Sequence, residues 1–479
     1  METYATVAPI IQQQELTWRC NNLCPFCYNP ERAFEAFVPR QCDRERNLAV
    51  AEESVRRGVM AVCPTGGEPL LVGEHLFEIL AAYHQAGCYT SINSNGRLLT
   101  AQHAQRLADL GLNSALISIH GLSDLHDAMV GTVNAFPETW RGLLLLRDHG
   151  IAVMPNFVAT AKNVHGLLAV GKALSEQHID AMTVTPFLPS WGSHMHQQFV
   201  LLTEHYRTYF AAVRSIRQLG VRIDSTLPIP PCVLIRHFPD DWPEFLAVLS
   251  PRVCMAGRSF GVVSPDAQFR ACIQAPYLAD FGGSVIDSYA ASWNRANRWA
   301  DPELFPEACR TCAALDVCGG GCRTSCLWEN HGSVQGSTMY MGQPLTVDQA
   351  APFLARAVWS EIAPTERHFH VHPQVKVRNE GWGTIVFTPK YQSFTILSPE
   401  AGAAIRPEST IEIGTPKVAA VLQAIHAIQP VDQSLPHAHL PRGTTVLPGS
   451  LLLPRLAQHF TDHKRVYYLR ADTGERYFF

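Results

Sequence analysis

Residues 15–190 alternate short apolar runs with longer stretches whose apolar positions recur at helical spacing. An alternation with a period of roughly 25–30 residues predicts parallel strands joined by right-handed crossovers. The predicted strands cover residues 15–19, 59–63, 89–93, 114–120, 151–159 and 181–185, and the helices 43–57, 74–86, 100–110, 136–149 and 164–178. The fold class is therefore α/β, either a full or partial (β/α) barrel or an open doubly wound sheet. In each of these, ligand-binding groups belong at the carboxyl ends of the strands.

Two later regions break this period. Residues 251–340 are rich in Cys and Gly and weakly periodic, which predicts little apolar core and an order that depends on metal. From about residue 368 there are no cysteines, and 376–397 alternates as a strand pair would. We therefore predict three domains, over residues 1–235, 236–350 and 365–479.

The composition limits where the protein is expected to be located and which partners it is expected to bind. Of 479 residues, 47% are apolar and 17% charged, as in soluble globular proteins. A net charge of −4 gives no general attraction to nucleic acid or to anionic membrane. No apolar run approaches the roughly 20 residues that span a bilayer, and residues 1–15 lack the pattern of a secretory signal. We expect a cytoplasmic protein without nucleic-acid or membrane partners.

The chain has 14 cysteines. In a reducing cytoplasm such a number indicates metal or redox chemistry rather than disulfides. Three cysteines lie within residues 20–27 and five within 309–326, whereas Cys42, Cys63 and Cys88 are isolated. Cys63 and Cys88 fall on or beside predicted strands, so we expect them to be small buried apolar residues.

The first cysteine group, Cys20, Cys24 and Cys27, has the spacing C-x3-C-x2-C. Three thiolates on one tight loop can hold three irons of a cubane cluster and leave the fourth iron open. A zinc site would want a fourth Cys or His nearby, and none lies within the next ten residues. A zinc loop or buried thiols are the alternative interpretations of this spacing.

This loop follows a predicted strand, has Phe26 before its third cysteine, and precedes the turn Gly66-Gly67-Glu68-Pro69 by about 40 residues. Over residues 12–190 the chain resembles the radical S-adenosylmethionine (SAM) superfamily, whose fold is a partial (β/α)6 TIM-like barrel. The resemblance implies a 4Fe–4S cluster on Cys20, Cys24 and Cys27 whose open iron chelates SAM. Reductive cleavage of SAM then gives a 5′-deoxyadenosyl radical that abstracts hydrogen from the substrate.

The same resemblance implies a set of SAM contacts. Glu68 and the nearby backbone would meet the SAM amino group, and Ser118 its carboxylate or ribose. At His120 the family often has Asp, so this residue is either a substrate contact or a hydrogen-bonded structural histidine. The implied cofactor-binding residues are Phe26, Gly66, Gly67, Glu68, Pro69, Ser94, Asn95, Ser118 and Asn156.

The second cysteine group resembles the SPASM extension of radical SAM peptide maturases, which holds two auxiliary 4Fe–4S clusters. The sequence departs from the family pattern at two positions. Ala267 stands where the family usually has a glycine, and Cys326, the last cysteine, lies closer to Cys322 than the last cysteine of the family pattern usually does. The array comprises Cys254, Cys272, Cys309, Cys312, Cys318, Cys322 and Cys326.

The resemblance assigns Cys254, Cys272 and Cys322 to one auxiliary cluster, with Cys232 as its fourth ligand or an open iron. It assigns the other cluster to Cys309, Cys312, Cys318 and Cys326. A zinc ribbon on the cysteines of 309–322 is the alternative, and it would leave three cysteines unused. Together with the cluster of the first loop, this predicts three 4Fe–4S clusters.

The C-terminal region resembles the small winged-helix-like, PqqD-like peptide-binding domains, including the mycofactocin accessory domain. The likeness lies in the segments 371–378, 381–387 and 394–401. Domains of this kind bind the leader of a precursor peptide by adding it as a strand to a sheet edge. The alternative is a β-rich α+β domain that packs on the barrel or forms a dimer.

The resemblances together predict a peptide maturase that forms a cross-link or performs an oxidative decarboxylation on a ribosomally made precursor. Its partners would be that peptide, bound by the C-terminal domain, and a reducing electron donor such as flavodoxin or ferredoxin. Action on a small molecule or tetrapyrrole is the enzymatic alternative. An iron–sulfur electron carrier is the non-enzymatic alternative.

Overall fold

The structure is a computed structural model of the chain. It describes residues 6–29, 43–188, 198–224, 229–242, 254–275, 279–301, 304–305, 307–318, 320–324, 344–350, 368–389, 393–397, 399–413, 419, 422–423, 427–431, 445–447, 460–462, 465–469 and 476–478.

The N-terminal part alternates strands and helices as the sequence predicts. Its strands are β1 (Ile11–Thr17), β2 (Ala61–Gly66), β3 (Tyr89–Ser94), β4 (Ser114–Ser118), β5 (Ala152–Ala159), β6 (Ala181–Pro186) and β7 (Arg222–Asp224). Its helices are α1 (Arg44–Arg56), α2 (Glu74–Gln85), α3 (Ala101–Asp109), α4 (Ser123–Val130), α5 (Ala135–Asp148), α6 (Leu167–Glu176), α7 (Thr203–Gln218) and α8 (Pro231–His237).

The strands β1 to β7 lie side by side in chain order and are parallel to one another. The sheet is open, because β7 lies at one of its ends. This confirms an α/β fold with parallel strands, and it brings the carboxyl ends of β1 to β6 to one edge of the sheet.

Local sequence signals account for most of these boundaries. The carboxylate of Asp43 accepts a hydrogen bond from Arg46 N (3.0 Å) and caps α1. The hydroxyl of Thr100 accepts one from His103 N (3.2 Å) and caps α3. Such caps satisfy backbone donors that a helix leaves free at its start. The short helix α4 was not predicted, because its eight residues carry too few turns for a clear periodic signal.

The cysteine-rich region continues the same sheet. Its strands are β8 (Phe260–Val263), β9 (Gln268–Arg270) and β10 (Gly282–Ser284), and its helices are α9 (Val285–Asn297), α10 (Glu307–Arg310) and α11 (Leu315–Cys318). Strand β8 pairs in parallel with β1, and β9 and β10 extend the sheet antiparallel. The sheet therefore crosses the predicted boundary between residues 235 and 236, and the three-domain division stays a prediction.

The expectation of little apolar core in this region was wrong for residues 254–300. Phe269, Tyr289, Trp293 and Trp299 are buried together there. Trp293 donates its ring N–H to Thr6 O (2.6 Å), which fixes the start of the chain against α9. The error arose because aromatic residues were too widely spaced to give a periodic pattern, although each aromatic side chain buries a large apolar area.

The C-terminal region is built mainly from strands. These are β11 (His368–Val371), β12 (Lys376–Asn379), β13 (Thr384–Thr388), β14 (Ser393–Leu397), β15 (Thr410–Ile413), β16 (Ile428–Pro430), β17 (Thr445–Leu447), β18 (Phe460–Asp462), β19 (Arg465–Leu469) and β20 (Arg476–Phe478), with one helix, α12 (Pro399–Ala404). Strands β12, β13 and β14 form an antiparallel sheet with Val377 opposite Val386, and Phe387 opposite Phe394. We call residues 368–413 the accessory domain.

In this sheet the strands β13 and β14 are buried on both faces. One face packs on the accessory domain's own core through Val386 and Leu397. The other face packs on the amino ends of the barrel strands, where Ile385, Phe387, Phe394 and Ile396 meet Ile10, Met60, Ala61 and Tyr89. The accessory domain therefore lies at the end of the barrel sheet opposite to the carboxyl ends of its strands.

Within the described residues, no helix combines the length and the apolar character needed to cross a lipid bilayer.

Candidate active site

The loop that follows β1 carries the first three cysteines at the carboxyl edge of the sheet. Cys20, Cys24 and Cys27 are all half-buried, and their thiols are free of disulfides. The backbone turns tightly between them, with Cys27 N donating to Cys24 O (3.3 Å). Leu23 N donates to Val130 O (2.9 Å) and ties the loop to the end of α4. The structure thus places the three cysteines on one anchored loop.

The turn after β3 supports this loop from the side. Asn95 donates its amide N–H to Asn21 Oδ1 (2.7 Å) and approaches Cys20 Sγ at 3.8 Å. Arg97 donates to Asn21 O (2.6 Å) and to Asn22 Oδ1 (2.9 Å), and it pairs with Glu138 at 2.7 Å. Asn95 was predicted as a site residue, whereas Arg97 was missed because a single arginine after a turn carries no motif.

Gly66 and Gly67 pass unusually close to the strand that leads into the cysteine loop. Gly66 has φ +123°, a conformation that favours glycine. A Cβ atom on Gly67 would lie 1.9 Å from Arg19 O. Gly67 N donates to Thr17 O (2.7 Å), so the two backbones are held at this distance by hydrogen bonding. The glycines are thus required by the backbone contact that positions the cysteine loop.

The carboxylate of Glu68 is fully buried and bonded to protein donors. Its Oε1 accepts from Leu70 N (3.1 Å) and Ser94 Oγ (2.8 Å), and its Oε2 accepts from Asn95 N (2.8 Å). Burial raises the pKa of Glu68 above its usual value, and these hydrogen bonds act against that rise. In this arrangement Glu68 joins the turn after β2 to the turn after β3. Ser94 therefore also serves this junction.

Replacing Glu68 with glutamine is expected to destabilise the protein by about 1–3 kcal/mol. The glutamine amide places an N–H group where Ser94 or Asn95 also donates, so one buried donor loses its acceptor. Urea unfolding measures the loss, with the exposed Glu52→Gln on α1 as the control. Equal stability of the two variants would show that the buried carboxylate is not needed at this junction.

Ser118 and Asn156 were predicted separately and lie side by side. They are register partners on β4 and β5, both half-buried at the carboxyl edge of the sheet. Phe26 is 5% exposed, and its ring packs against Phe199 and Phe187 at 5.8 and 6.3 Å. The aromatic residue of the loop is therefore mainly a packing residue, and its contact with a cofactor stays a prediction.

His120 is held in the neutral form by its surroundings. Burial, together with the neighbouring His126, lowers its pKa to about 3. Its Nδ1 accepts from Val158 N (3.3 Å), and its ring meets that of Phe26 edge-on at 5.0 Å. This matches the expectation of a hydrogen-bonded structural histidine. The ring thus packs against the cysteine loop through Phe26.

The later cysteines separate into two groups. In the first, Cys272 is close enough to Cys254 and Cys322 for their thiolates to repel one another. In the second, Cys309 has this relation to Cys232 and Cys312, and Cys318 has it to Cys232 and Cys309. Burial is the largest cause of the raised pKa of Cys272, to about 12, and of Cys309, to about 11.

Cys232 therefore lies with the second group, whereas the sequence suggested it for the first. Cys232 and Cys312 both pack against the large core of the barrel, which a linear spacing does not reveal. Cys326 and Cys42 lie outside the described residues. Among the described residues, no three His, Cys, Asp or Glu side chains are close enough to hold a single metal ion.

Ala267 adopts a backbone conformation that favours glycine. Its φ is +60°, and its side chain is 1% exposed. A non-glycine residue in this region costs about 1–2 kcal/mol. Here Ala267 N donates to Ser264 O (2.9 Å), and Val285 N donates to Ala267 O (2.8 Å), so the turn between β8 and β9 is fixed despite the substitution.

Comparison with known proteins agrees with this geometry. The family model of the radical SAM superfamily matches residues 15–168. Residues 15–168 are a radical SAM domain. This stretch contains the three cysteines of the first loop, the Gly66–Pro69 turn and the strands β2 to β5. A radical SAM domain binds SAM and an iron–sulfur cluster, so both are cofactors of this protein.

The likeness to curated proteins extends well past the radical SAM domain. The chain is 26% identical over 334 residues to the PqqA peptide cyclase of Ruegeria pomeroyi, covering 67% of this chain and 84% of that protein. It is 26% identical over 321 residues to the PqqA peptide cyclase of Granulibacter bethesdensis, covering 64% and 81%.

A solved structure shares the fold. Streptococcus suis SuiB bound to S-adenosylmethionine has a TM-score of 0.54 and 15% identity, covering 71% of this chain and 77% of that one. Around the radical SAM domain, the described fold is therefore that of known SAM-binding proteins.

The donor set of the cysteine loop fits the cluster of a radical SAM domain. Cys20, Cys24 and Cys27 would supply three thiolate ligands, and thiolates are the ligands that such clusters require. The turns after β2 and β3 and the Ser118–Asn156 pair surround this loop with backbone and side-chain polar groups. One-electron cleavage of bound SAM would supply a carbon radical there.

Proposed function

We propose that this radical SAM enzyme modifies a ribosomally made precursor peptide by hydrogen abstraction, giving a cross-link or an oxidative decarboxylation. The observation that carries the proposal is the 334-residue likeness to PqqA peptide cyclase, which is longer than the stretch 15–168 that the radical SAM family model matches. A structure of Streptococcus suis SuiB bound to its precursor peptide SuiA also shares the fold, with a TM-score of 0.54. A cytoplasmic location and a reducing donor such as flavodoxin or ferredoxin belong to this proposal.

The chain's own residues would position the reaction rather than carry it. The Gly66–Gly67 backbone, with Pro69 starting the following turn, would offer polar groups to SAM at the carboxyl end of β2. Ser94 and Asn95 would hold the neighbouring turn, and Ser118 and Asn156 would face the SAM carboxylate or ribose. Buried, neutral His120 and the ring of Phe26 would exclude water from one side of this space.

The cysteine groups support two auxiliary 4Fe–4S clusters in addition to the SAM cluster. Cys254, Cys272 and Cys322 would hold one of them. Cys309, Cys312 and Cys318 would hold the other, together with Cys232, which supplies a fourth thiolate from the barrel side. Cys326 then remains a candidate for the fourth ligand of the first cluster. Cubane clusters are usually held by four cysteines, so a complete second set leaves the first set one ligand short.

Replacing Cys232 with alanine is expected to remove the signal of one auxiliary cluster while SAM cleavage continues. The reason is that Cys232 lies close to Cys309 and Cys318. It is far in sequence from the loop that carries Cys20, Cys24 and Cys27, which we call the SAM loop. Iron analysis and electron paramagnetic resonance of the reconstituted protein measure this loss. Cys326→Ala is the comparison, and Cys63→Ala, at an isolated buried cysteine, is the control. Full iron content in Cys232→Ala would exclude it as a ligand.

The accessory domain is the proposed site of leader binding. In the described residues, β12 pairs with β13 alone and forms one edge of its sheet. The edge is accessible, since Val377 is 37% exposed and Asn379 is exposed, whereas Phe394 and Ile396 on the opposite edge strand are buried. An exposed edge with an apolar side chain suits the addition of an extended peptide strand.

The position of this edge sets a minimum length for the peptide. The accessory domain packs on Met60, at the amino end of β2, whereas the SAM site begins at Gly66, where β2 ends. Six residues of strand span about 20 Å. An extended chain covers about 3.3–3.6 Å per residue. The modified residue should therefore follow the leader segment by at least about six residues.

The experiment that tests the proposed function uses the full chain, reconstituted without oxygen, with dithionite and SAM. Peptides encoded by short reading frames beside the gene are the substrates, and mass spectrometry follows both 5′-deoxyadenosine and the peptide mass. We expect 5′-deoxyadenosine together with loss of hydrogen or of carbon dioxide from one peptide. Formation of 5′-deoxyadenosine without a change in any such peptide would favour a small-molecule substrate instead.

A further inference from the structure

A buried ion pair lies between the SAM loop and the first auxiliary cysteine group. Arg270, at the end of β9, pairs with Glu15 on β1, and the two side chains are 1% and 0% exposed. Ion pairs buried to this extent are seldom a net gain in stability, because both charges lose their hydration. The burial of the Glu15–Arg270 pair therefore suits a role other than stability.

The positive end of the pair faces the auxiliary group. Arg270 donates from one terminal nitrogen to Ala275 O (3.2 Å) and to Ile273 O (3.4 Å), in the loop that starts at Cys272. In the same loop, Gln274 N donates to Cys272 Sγ (3.4 Å). The guanidinium group is thus hydrogen-bonded to the turn that carries Cys272.

The negative end faces the SAM loop. The other terminal nitrogen of Arg270 bonds Glu15, which lies five residues before Cys20 on the strand that enters the loop. Tyr28, next to Cys27, donates its hydroxyl to Gly66 O (3.2 Å). Glu15 also pairs in register with Thr65, the residue before Gly66, so these two residues lie on the two strands that lead into the cysteine loop and the Gly66 turn.

We infer that the Glu15–Arg270 pair is a fixed dipole between the SAM cluster and the auxiliary cluster of Cys254, Cys272 and Cys322. Its positive end stabilises the extra negative charge of a reduced auxiliary cluster, and its negative end opposes reduction of the SAM cluster. Cluster potentials respond to nearby charge and hydrogen bonding, and buried charges are poorly screened. The pair makes the auxiliary cluster the better electron acceptor of the two. This inference rests on the proposed auxiliary cluster.

The test replaces both charges at once in the full chain, as Glu15→Gln with Arg270→Gln, so that neither is left buried alone. Redox titration followed by electron paramagnetic resonance gives the midpoint potentials of both clusters, and iron analysis gives their occupancy. We expect the midpoint potential of the auxiliary cluster to fall and that of the SAM cluster to rise. The gap, which is the difference between these two potentials, should therefore narrow. An unchanged gap at full iron content overturns the inference.

Arg270→Lys is the matched control, because it keeps the charge but has fewer donors for the Cys272 loop. The Arg270→Lys variant should retain most of the difference between the two midpoint potentials. If this difference changes as much as in the double variant, hydrogen bonding and not charge sets the potentials. If the double variant loses iron, Glu15→Gln alone should raise the SAM-cluster potential more than the auxiliary one, and equal shifts contradict the dipole. Wild-type protein with iron for a single cluster would instead contradict the proposed auxiliary clusters.

Discussion

Replacing Cys24 with alanine is expected to abolish formation of 5′-deoxyadenosine while iron remains bound to the later cysteines. The SAM cluster would have three protein ligands, so the loss of one leaves too few thiolates to hold it. The loop itself should persist, because Arg97, Asn95 and Leu23 anchor it through contacts that do not involve Cys24. The measurement is 5′-deoxyadenosine by chromatography after anaerobic incubation with dithionite and SAM.

Cys63→Ala is the matched control for this variant. Cys63 is buried on β2, and burial raises its pKa to about 12, so it is a packing residue with little thiolate character. The control should retain both iron and SAM cleavage. Equal loss of all iron from Cys24→Ala would show that the cluster sites do not fill independently. Undiminished 5′-deoxyadenosine would contradict the assignment of the first loop.

The features that the sequence predicted well are those with local signals. Asp43 and Thr100 mark the starts of helices because a capping side chain acts within one turn. The Cys20 loop and the Gly66–Pro69 turn are recognisable because each is a short, contiguous motif. The strands β2 to β6 were predicted within a few residues, since the βα period repeats and a repeated pattern averages out local errors.

The features that the sequence did not predict depend on residues distant along the chain. Arg97 supports the cysteine loop from about 75 positions away, and no motif marks it. The buried carboxylate of Glu68 joins the turns after β2 and β3 by accepting from Leu70, Ser94 and Asn95, a junction that no motif marks, and its contact with SAM stays a prediction. The pair Glu15–Arg270 joins positions 255 apart in sequence. Such contacts follow from sheet order and register, which spacing along the chain does not specify.

For the accessory domain, the sequence did not show that packing on the barrel and peptide binding are compatible. A strand pair was predicted over residues 376–397 from its alternation, but the two interpretations of the domain, peptide binding and packing on the barrel, were treated as alternatives. The described sheet packs on Ile10, Met60, Ala61 and Tyr89 and still exposes the edge strand β12, so both roles are compatible. Deleting residues 368–479 would uncover this apolar surface, and a point substitution is therefore the better test of leader binding.

Arg378 links the accessory domain to the barrel through several polar contacts. Its side chain is 8% exposed and pairs with Glu380 at 2.6 Å. It also donates to three backbone carbonyls of the barrel, those of Ala8 (2.7 Å), Pro9 (3.0 Å) and Gly58 (2.8 Å). Glu380 in turn accepts from Val7 N (2.6 Å), so the chain start is held from both sides.

Replacing Arg378 with methionine is expected to destabilise the protein by about 3–5 kcal/mol, because it leaves the Glu380 carboxylate buried without its cation. Urea unfolding measures this loss, and hydrogen exchange should show faster exchange at Met60 and Tyr89, where the accessory domain packs. The exposed Arg406→Met, in the same domain, is the control and should change stability little. If docking of this domain is needed to deliver the peptide, Arg378→Met should also lose peptide modification while still cleaving SAM. Unchanged hydrogen exchange at Met60 and Tyr89 would show that the apolar contacts hold the domain without this ion pair.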